Sequence, residues 1–220
     1  MSKKKPTRVI ISGLGISGLI TAALLCKEKI KVECFEPNDI SKFCKDQRTT
    51  AFLKPAIGVF KEIGVWEKIE PISQPLKEME IIDVGNSKNG DTASVVFEPK
   101  EINIEYFGYN IPNNILRSEL LIWLKKNKNF VLNMGDSIVD HYAFDDNIFI
   151  KTANGKKLEG ELLISCEGKD SPIRKREKIN TIKASYSQLA MVFQVSHSKK
   201  HKDRTTEILD VGGPFTIIPL

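Results

Sequence analysis

Apolar and polar positions in the first forty residues follow the pattern of a strand, a helix and a second strand. The β-branched run Val9–Ile11 leads through a glycine-rich turn into the Ala- and Leu-rich run Leu19–Cys26. A second strand-like run, Lys31–Phe35, follows after four residues. β-branched and aromatic residues favour strands, whereas Ala and Leu favour helices. The pattern therefore predicts the start of an α/β fold with a parallel sheet.

Beyond this start, the pattern predicts two more long helices and a series of short strands. One helix is expected from Gln47 to about Ile63, where Gly64 would end it, and another from Asn114 to Leu124 with its leucines on one face. Alternating runs joined by Asn-Gly indicate hairpins, and thus a second sheet in a separate lobe. The two hairpin turns are Asn89-Gly90 and Asn154-Gly155, and a short helix is expected to begin at Pro172. Strands are expected at 76–84, 93–97, 130–132, 137–141, 148–152, 158–165, 185–195, 207–211 and 215–218.

The glycine-rich turn has the spacing of a dinucleotide-binding site. Gly13 permits a tight turn, Gly15 lets a pyrophosphate approach the backbone, and Gly18 lets the helix pack closely on the sheet. Glu36 ends the second strand 18 residues after Gly18, close to the spacing of about 20 for an acid that binds a ribose 2′-hydroxyl. Such an acid favours FAD or NAD, and the alternative is a surface carboxylate that merely ends a strand.

The run Val9–Cys26 has no charged residue and follows Lys3, Lys4 and Lys5, so it also resembles a signal peptide or a membrane span. No small-x-small cleavage site follows it. Its length lies at the bottom of the range for a span, about 17 to 25 residues, and three glycines at turn spacing would weaken a spanning helix. We therefore expect a soluble α/β unit in the cytoplasm.

Composition narrows the possible functions. The chain has 220 residues, 41% hydrophobic and 28% charged, which suits one or two globular domains. Its net charge of +5 is spread over the whole length, so we expect no nucleic acid partner. The four cysteines lack Cys-x-x-Cys spacing, which favours reduced thiols and no metal site. The three histidines are expected at the surface, and no catalytic base is assigned.

Two arginines and an acid-glycine turn are further candidates for ligand contacts. Arg48 lies near the start of the predicted helix 47–63, where a cation is unfavourable unless an anion is nearby. It is therefore a candidate phosphate or flavin contact, with an ordinary exposed arginine as the alternative. Arg117 falls in the first turn of its helix, off the apolar face, and could reach a ligand. Glu167-Gly168 joins a strand to a helix N-terminus as the first turn does, or is an ordinary connection.

Six ordered blocks of sequence, covering nearly all 220 residues, resemble the FAD-dependent aromatic monooxygenases of the para-hydroxybenzoate hydroxylase type. Within that family they are most similar to the ubiquinone-biosynthesis hydroxylases. The blocks are Gly13-x-Gly15-x-x-Gly18 with Glu36, Asp46-x-Arg48-x-x-Ala51, Asn114-x-x-Arg117, Leu162-Leu163-Ile164 leading to Glu167-Gly168-x-Asp170-Ser171-Pro172-x-Arg174, Tyr186-x-Gln188-x-Ala190, and Gly213-Pro214-Phe215 before Pro219-Leu220.

The resemblance implies a hydroxylase of an aromatic ubiquinone precursor that uses FAD, with NAD(P)H as electron donor. Its cofactor carries the chemistry, so no catalytic side chain is expected to stand out. A polyprenylated substrate would imply a peripheral contact with the inner membrane. By the same resemblance, Gly13, Gly15 and Gly18 would hold the FAD pyrophosphate, and Glu36 would bind the adenosine ribose. Arg48 and Arg117 would contact other parts of the cofactor. Glu167-Gly168, where the family usually has Asp-Gly, would contact both the cofactor and the donor.

The implied fold is a Rossmann-like FAD-binding domain, with a parallel sheet and a β-meander, into which a mostly antiparallel β substrate domain is inserted. The FAD-binding domain is expected at residues 1–75 and 101–180, and the substrate domain at 76–100 and 181–220. The family has a third flavin motif, Gly-Asp, downstream of the Gly-Pro and Pro-Leu block. The two Gly-Asp pairs of this chain, Gly90-Asp91 and Gly135-Asp136, come too early to replace it.

We therefore expect a chain truncated at its C-terminus that is prone to aggregation alone or needs a C-terminal partner chain to supply the remainder. Two alternatives remain open. The chain could be a non-catalytic remnant or split-gene subunit. It could also be an NAD-binding Rossmann protein of another kind, which would explain the first 40 residues but not the later blocks.

Overall fold

The computed structural model of the protein describes residues 8–39, 41, 45–85 and 92–220. Its strands are β1 (Arg8–Ser12), β2 (Lys31–Glu36), β3 (Thr49–Leu53), β4 (Gln74–Leu76), β5 (Glu78–Asp83), β6 (Ala93–Phe97), β7 (Gly108–Pro112), β8 (Phe130–Met134), β9 (Ile138–Phe144), β10 (Asn147–Thr152), β11 (Lys157–Gly160), β12 (Leu162–Ser165), β13 (Arg204–Leu209) and β14 (Phe215–Ile217). Its α-helices are α1 (Ile16–Lys27), α2 (Lys54–Ile63), α3 (Trp66–Ile69), α4 (Asn113–Lys125) and α5 (Pro172–Arg176), with 3-10 turns at Glu70–Ile72 and Pro99–Ile102.

The chain divides into two units, each made of two segments. The first unit comprises Met1–Gln47 and Asn114–Met191, and the second comprises Arg48–Asn113 and Val192–Leu220. The expected boundaries lay at residues 75, 100 and 180, so the second unit is larger than expected. The assignment of one part to FAD and another to substrate stays a prediction.

The first unit contains the predicted parallel sheet. Its strand order is β12-β1-β2-β8, and every neighbouring pair is parallel. Strands β1 and β2 are almost fully buried, as expected for the uncharged first run and for strands in the middle of a sheet. Helix α1 packs with its small side chains inward, including Ala22 and Ala23. The α/β class with a parallel sheet is therefore confirmed.

A three-stranded antiparallel meander, β9-β10-β11, belongs to the same unit. Its second hairpin turns at Asn154-Gly155 as predicted, and Gly155 has a φ of +82°, in the left-handed region that glycine adopts readily. The predicted strand 158–165 is two strands, because β11 pairs with β10 while β12 pairs with β1. At Gly160, the last residue of β11, an added Cβ would lie 3.0 Å from the Arg8 carbonyl oxygen.

Packing between the parallel sheet and the meander is mainly apolar, with one buried acid. Ile10 and Phe35 contact Ile138 and Ile150 of the meander. Glu33 is only 6% exposed. Its carboxylate accepts hydrogen bonds from the Lys156 ammonium at 2.6 Å and from the Asn133 amide at 3.2 Å, and Arg8 lies 3.9 Å away. A buried carboxylate needs such partners to offset its lost hydration.

The second unit contains two sheets and two helices. One sheet, β3-β7-β4, is antiparallel, and the other, β14-β13-β5-β6, is mixed, because β13 runs parallel to β5. The β5–β6 hairpin is confirmed, although its Asn89-Gly90 turn lies outside the described residues. Helix α2 buries Ile57, Phe60 and Ile63, and the Phe60 ring meets Phe52 of β3 edge to face at 5.1 Å.

The start of the helix predicted at 47–63 is wrong. Residues 49–53 form β3, which pairs with β7, and helix α2 begins only at Lys54. Two β-branched residues, Thr49 and Thr50, suit a strand, and Pro55 suits the first turn of a helix because it lacks an N–H. The predicted end is confirmed, since Gly64 closes α2 with a φ of +90°.

The strand predicted at 185–195 is also wrong in this structure. Among the described residues, no strand lies between α5 and β13, and the Leu189 side chain is 98% exposed. An alternating pattern gives strand propensity, but a strand forms only when a neighbouring strand accepts its backbone hydrogen bonds.

A membrane-spanning helix is not found in the described part of the chain, because none of its helices is both long and apolar enough.

We expect two glycine-to-alanine changes to shift stability in opposite directions. At Gly18 an added Cβ would lie 2.1 Å from the Gly13 carbonyl oxygen, so Gly18→Ala should lower the unfolding free energy by about 2 to 3 kcal/mol. Gly58, exposed inside α2, has no atom within 4 Å of the Cβ position, so Gly58→Ala should raise it by about 0.5 to 1 kcal/mol. Urea unfolding measures both, and a Gly18→Ala variant as stable as wild type would contradict the packing described.

Candidate functional site

The turn after β1 is packed so closely that its first glycine cannot be replaced without strain. Gly13 has a φ of +93°, and a Cβ there would lie 2.5 Å from the Cys166 carbonyl oxygen. The Gly13 N–H donates to the Phe35 carbonyl oxygen at 2.8 Å. The turn is therefore held between the ends of β2 and β12.

Two further glycines of the turn differ in what surrounds them. The Cβ position of Gly18 is filled by the Gly13 carbonyl oxygen, which lets α1 start directly behind the turn. Gly15, by contrast, has an ordinary φ of −62° and no atom within 4 Å of its Cβ position. No contact within the described protein requires glycine at position 15. The free space in front of its backbone is where a ligand can approach.

The N-terminus of α1 is free to bind an anion. Gly15 is the N-cap residue, no side chain caps the helix, and the first turn contains no acid. A helix of 12 residues carries a partial positive charge at this end, together with unpaired N–H groups. Helix termini of this kind bind phosphate groups. The turn therefore fits the pyrophosphate of a dinucleotide.

Glu36 connects the end of β2 to the glycine turn. Its side chain is buried, with 5% exposure, and one carboxylate oxygen accepts from the Leu14 N–H at 2.8 Å. The other accepts from Asn38, from its N–H at 3.0 Å and its side-chain amide at 2.7 Å. Each carboxylate oxygen can accept more than one hydrogen bond, so a ribose hydroxyl can still donate to either. No sequence pattern singled out Asn38 as a partner of Glu36.

Glu167 lies where the ends of β1 and β12 meet the start of α5. Its carboxylate accepts hydrogen bonds from three hydroxyls, Ser12 at 2.6 Å, Ser171 at 2.5 Å and Ser165 at 3.2 Å, and from the Ile173 N–H at 3.1 Å. Burial by itself raises the pKa of Glu167, but these hydrogen bonds outweigh it and leave the pKa below its ordinary value. The carboxylate therefore stays charged and ties three segments together.

Gly168 follows with a φ of +82° and open space around its Cβ position. The left-handed conformation, and not crowding, accounts for glycine here. Sequence analysis singled out Glu167 and Gly168, and Ser171 in the same block, but it did not show that Ser12, Ser165 and Ser171 share Glu167 as their acceptor. Ser12 lies 155 residues from Glu167, too far in sequence to form a motif with it.

Arg117 is held by an acid that sequence analysis did not assign to the site. The guanidinium Nη1 lies 3.4 Å from the Asp46 carboxylate, and the two side chains are 18% and 9% exposed. As predicted, Arg117 lies off the apolar face of α4, where Leu116, Leu120 and Leu124 are buried. Asp46 lies in one of the sequence blocks that resemble the family. The structure adds that its carboxylate pairs with Arg117.

Arg48 does not lie at a helix start. It precedes β3 in the second unit, and its carbonyl oxygen accepts from the Asn113 N–H at 2.9 Å. The helix-dipole argument for Arg48 is therefore wrong, because α2 begins six residues later. The structure brings together Gly13, Gly15, Gly18, Glu36, Glu167 and Gly168 at the carboxyl end of the parallel sheet, and Arg117 belongs to the same unit.

Two thiols of the first unit are packing residues. Cys26 and Cys34 are buried, and burial raises the pKa of Cys26 to about 11 and that of Cys34 further. Cys44 lies outside the described residues. No cluster of His, Cys, Asp and Glu in the described ranges could hold a metal ion. His141 was expected at the surface, but it is buried and its Nε2 lies 2.7 Å from the Glu177 carboxylate.

Comparison with known proteins agrees with this geometry. A family model described as "FAD binding domain" matches residues 6–211. The 3-demethoxyubiquinol 3-hydroxylase of Escherichia coli is 24% identical, over 98% of this chain and 55% of the relative. Ubiquinone hydroxylase UbiL of Rhodospirillum rubrum is 23% identical, over 100% of this chain and 50% of the relative. The chain thus spans about half the length of these curated relatives.

Solved structures share the fold at lower identity. A mutant of PqsL from Pseudomonas aeruginosa has a TM-score of 0.76 and 18% identity, over 97% of this chain and 57% of that chain. The p-nitrophenol 4-monooxygenase PnpA from Pseudomonas putida has a TM-score of 0.63 and 19% identity, over 76% of this chain and 42% of that chain. Because the family model spans nearly all of the sequence, the chain belongs to the FAD binding domain family.

Proposed function

We propose that this chain is the FAD-binding part of a hydroxylase that acts on an aromatic ubiquinone precursor, with NAD(P)H as electron donor. The observation that carries the proposal is the glycine turn, in which buried Glu36 accepts from the Leu14 N–H while Gly15 faces open space. The substrate class rests on the relatives, which are ubiquinone hydroxylases. The family itself supplies the choice of FAD.

In this proposal the turn from Gly13 to Gly18 and the N-terminus of α1 hold the FAD pyrophosphate. Glu36 accepts a hydrogen bond from the adenosine ribose, since a charged acceptor binds a hydroxyl more strongly than a neutral one. Asn38 and the Leu14 N–H fix the orientation of its carboxylate. The site is thus built before the cofactor binds, which reduces the ordering cost of binding.

Both arginines are proposed to contact the cofactor, Arg117 with its direction fixed by Asp46. Glu167 is proposed to act indirectly. Its oxygens already accept four hydrogen bonds within the protein, so its role is to hold Gly168 and the ends of the neighbouring strands in place. Gly168 then presents its backbone toward the cofactor and the nicotinamide donor.

Bound FAD supplies the redox chemistry that hydroxylation of an aromatic ring needs. The residues of this chain bind and orient the cofactor, and we assign none of them as a catalytic acid or base. We place the protein in the cytoplasm, and a polyprenylated substrate would bring it to the periphery of the inner membrane.

A second candidate is a subunit that works only with a partner polypeptide. The observation that favours it is coverage, since the chain matches 55% and 50% of the two hydroxylases compared above. In that case FAD would be retained only when the polypeptide corresponding to the other half is present.

Flavin retention tests the cofactor assignment. The purified chain is mixed with FAD, excess is removed by gel filtration, and the visible absorption of bound flavin is measured. Gly15→Ala should weaken FAD binding by about tenfold or more, because its Cβ enters the space left for the pyrophosphate. Its unfolding free energy should stay within about 0.5 kcal/mol of wild type.

Gly58→Ala is the matched control, since its Cβ also enters open space but lies on α2, in the other unit. It should retain FAD as wild type does. If the chain binds no flavin, either alone or with the polypeptide corresponding to the unmatched part of a relative, the FAD site is not functional and the proposal fails.

Turnover tests the reaction. The chain is supplied with FAD, oxygen, NADH or NADPH and a phenolic ubiquinone precursor. Where FAD binding requires it, the polypeptide corresponding to the unmatched part of a relative is added. We expect donor oxidation that depends on the precursor and a product 16 mass units heavier by mass spectrometry, the mass of one oxygen atom. Donor oxidation at an equal rate without precursor, and no hydroxylated product, would contradict the assignment.

The lowered pKa of Glu167 should make the free energy of unfolding depend on pH in the acid range. Its folded-state pKa is lowered, so its contribution to the unfolding free energy is present above the unfolded pKa, about 4.3, and is lost as pH falls through the folded value. Glu167→Gln should therefore be less stable than wild type at pH 7, and this difference should shrink below about pH 4. Urea unfolding across pH measures it, with the exposed Glu161→Gln as control. A difference independent of pH would refute the charged role.

A further inference from the structure

The outer face of the meander β9-β10-β11 combines aromatic and basic side chains. Side chains of a sheet alternate between its two faces. Ile150, with His141 and Leu158 beside it in the register, faces the core of the first unit. The same register places six other residues together on the opposite face, which we call the outer face: Asp140, Tyr142, Phe149, Lys151, Lys157 and Glu159.

Two aromatic rings of the outer face are stacked. Tyr142 and Phe149 lie directly opposite each other, with ring centroids 5.1 Å apart and an angle of 14° between the ring planes. Tyr142 is nevertheless 63% exposed. Aromatic side chains exposed in this way can stack against a planar ring of a ligand, since every such ring has a π-face. The aromatic pair is therefore a platform for a planar aromatic ligand.

Two lysines of the outer face repel each other. Lys151 of β10 and Lys157 of β11 lie directly opposite each other, and both are exposed. Like charges in such positions destabilise a sheet. Asp140, opposite Lys151 on the other side, forms an ion pair with Arg176, and neither lysine has an ion pair among the described residues. A bound anion would offset the repulsion, and lysine binds phosphate as a point charge.

The rings and the lysines line one depression. Its volume is about 440 Å³, and its lining includes all six residues of the outer face. Phe149 and Lys151 are two residues apart on one strand, so their side chains start about 7 Å apart. A nucleotide separates its base from its phosphate by one sugar, which is a similar span. Small-molecule pockets have volumes of about 300 to 1,000 Å³. A single-stranded nucleic acid needs room for about four or more nucleotides, so the depression fits one nucleotide better.

Glu159 favours a base that carries an amino group. It lies directly opposite Phe149, on the side away from Tyr142, and thus beside the aromatic platform. A charged carboxylate only accepts hydrogen bonds. The exocyclic amino group of adenine can donate to it, whereas a carbonyl oxygen in the same place would repel it. The outer face therefore suits an adenine nucleotide.

We propose that the outer face of the meander is a second nucleotide site, where the base stacks on Tyr142 and Phe149 and the phosphate lies between Lys151 and Lys157. The site is separate from the glycine turn, because the meander packs its other face, with Ile150, against the parallel sheet. The inference goes beyond the proposed function, since it requires neither FAD nor hydroxylation.

Isothermal titration calorimetry of the full chain with AMP, in a buffer free of phosphate, tests the site. We expect saturable binding of AMP. Adenosine and inorganic phosphate should each bind at least about tenfold more weakly, because each lacks half of the contacts. No AMP binding up to about 10 mM, or phosphate binding as tight as that of AMP, overturns the proposal.

Two substitutions test the two halves of the site. Lys151→Gln and Tyr142→Ser should each weaken AMP binding by about tenfold or more. Lys128→Gln removes the same charge from another exposed position of the first unit and should bind AMP within about twofold of wild type. Without AMP, Lys151→Gln should unfold at a urea concentration at least as high as wild type, because it removes the repulsion from Lys157. Equal AMP binding by the two lysine variants would refute the site.

AMP resembles one half of FAD, so binding at the glycine turn has to be distinguished. The titrations are repeated in a Gly15→Ala background, where the dependence on Lys151 should persist. AMP binding that is lost in Gly15→Ala and unchanged in Lys151→Gln would assign the nucleotide to the glycine turn and overturn the proposal. Flavin retention is measured separately and tests only the proposed function.

A nucleic acid strand is the other occupant to be tested. A single-stranded oligonucleotide of about ten deoxyadenosines is titrated in place of AMP, and we expect it to bind no more than about tenfold more tightly than AMP. Binding more than about a hundredfold tighter, and dependent on Lys151, would assign the outer face to nucleic acid and overturn the proposal.

Discussion

Close approach of three backbone segments at the carboxyl end of β1 is the constraint on which the first unit depends. Gly13 lies against Cys166, and Gly18 lies against Gly13, in both cases with no room for a Cβ. This crowding draws β12 beside β1 and lets α1 begin directly after the turn. The same crowding leaves Gly15 as the one glycine of the motif that faces open space. Fold and ligand access therefore arise from one short segment.

Two acids at this edge of the sheet stabilise it in different ways. Glu36 accepts from the backbone of the glycine turn, so it fixes the shape of that turn. Glu167 accepts from serines on β1, β12 and the residue before α5, so it fixes how the strand ends meet. Charged hydrogen bonds are stronger than neutral ones, and both carboxylates make several. Each acid thus links segments that lie apart in the sequence.

Local patterns predicted what local contacts determine. The strand, turn and helix from Arg8 to Lys27 are set by neighbouring residues, and the prediction from sequence was correct. The helix predicted from Gln47 began too early, because the pairing of β3 with β7, more than 50 residues away, overrides local propensity. The contact of Ser12 with Glu167 was missed for the same reason, since 155 residues separate the two. The segment 185–195 has strand propensity, but among the described residues it has no strand beside it.

Burial of its thiols determines how the first unit reacts with oxidants. Thiolates, and not thiols, are attacked by peroxides and alkylating reagents. Burial raises the pKa of Cys26, Cys34 and Cys166, so each remains almost entirely protonated near neutral pH. These three thiols are therefore chemically quiet. The first unit can therefore use small, well-packing thiols in its interior without making them a target for oxidation.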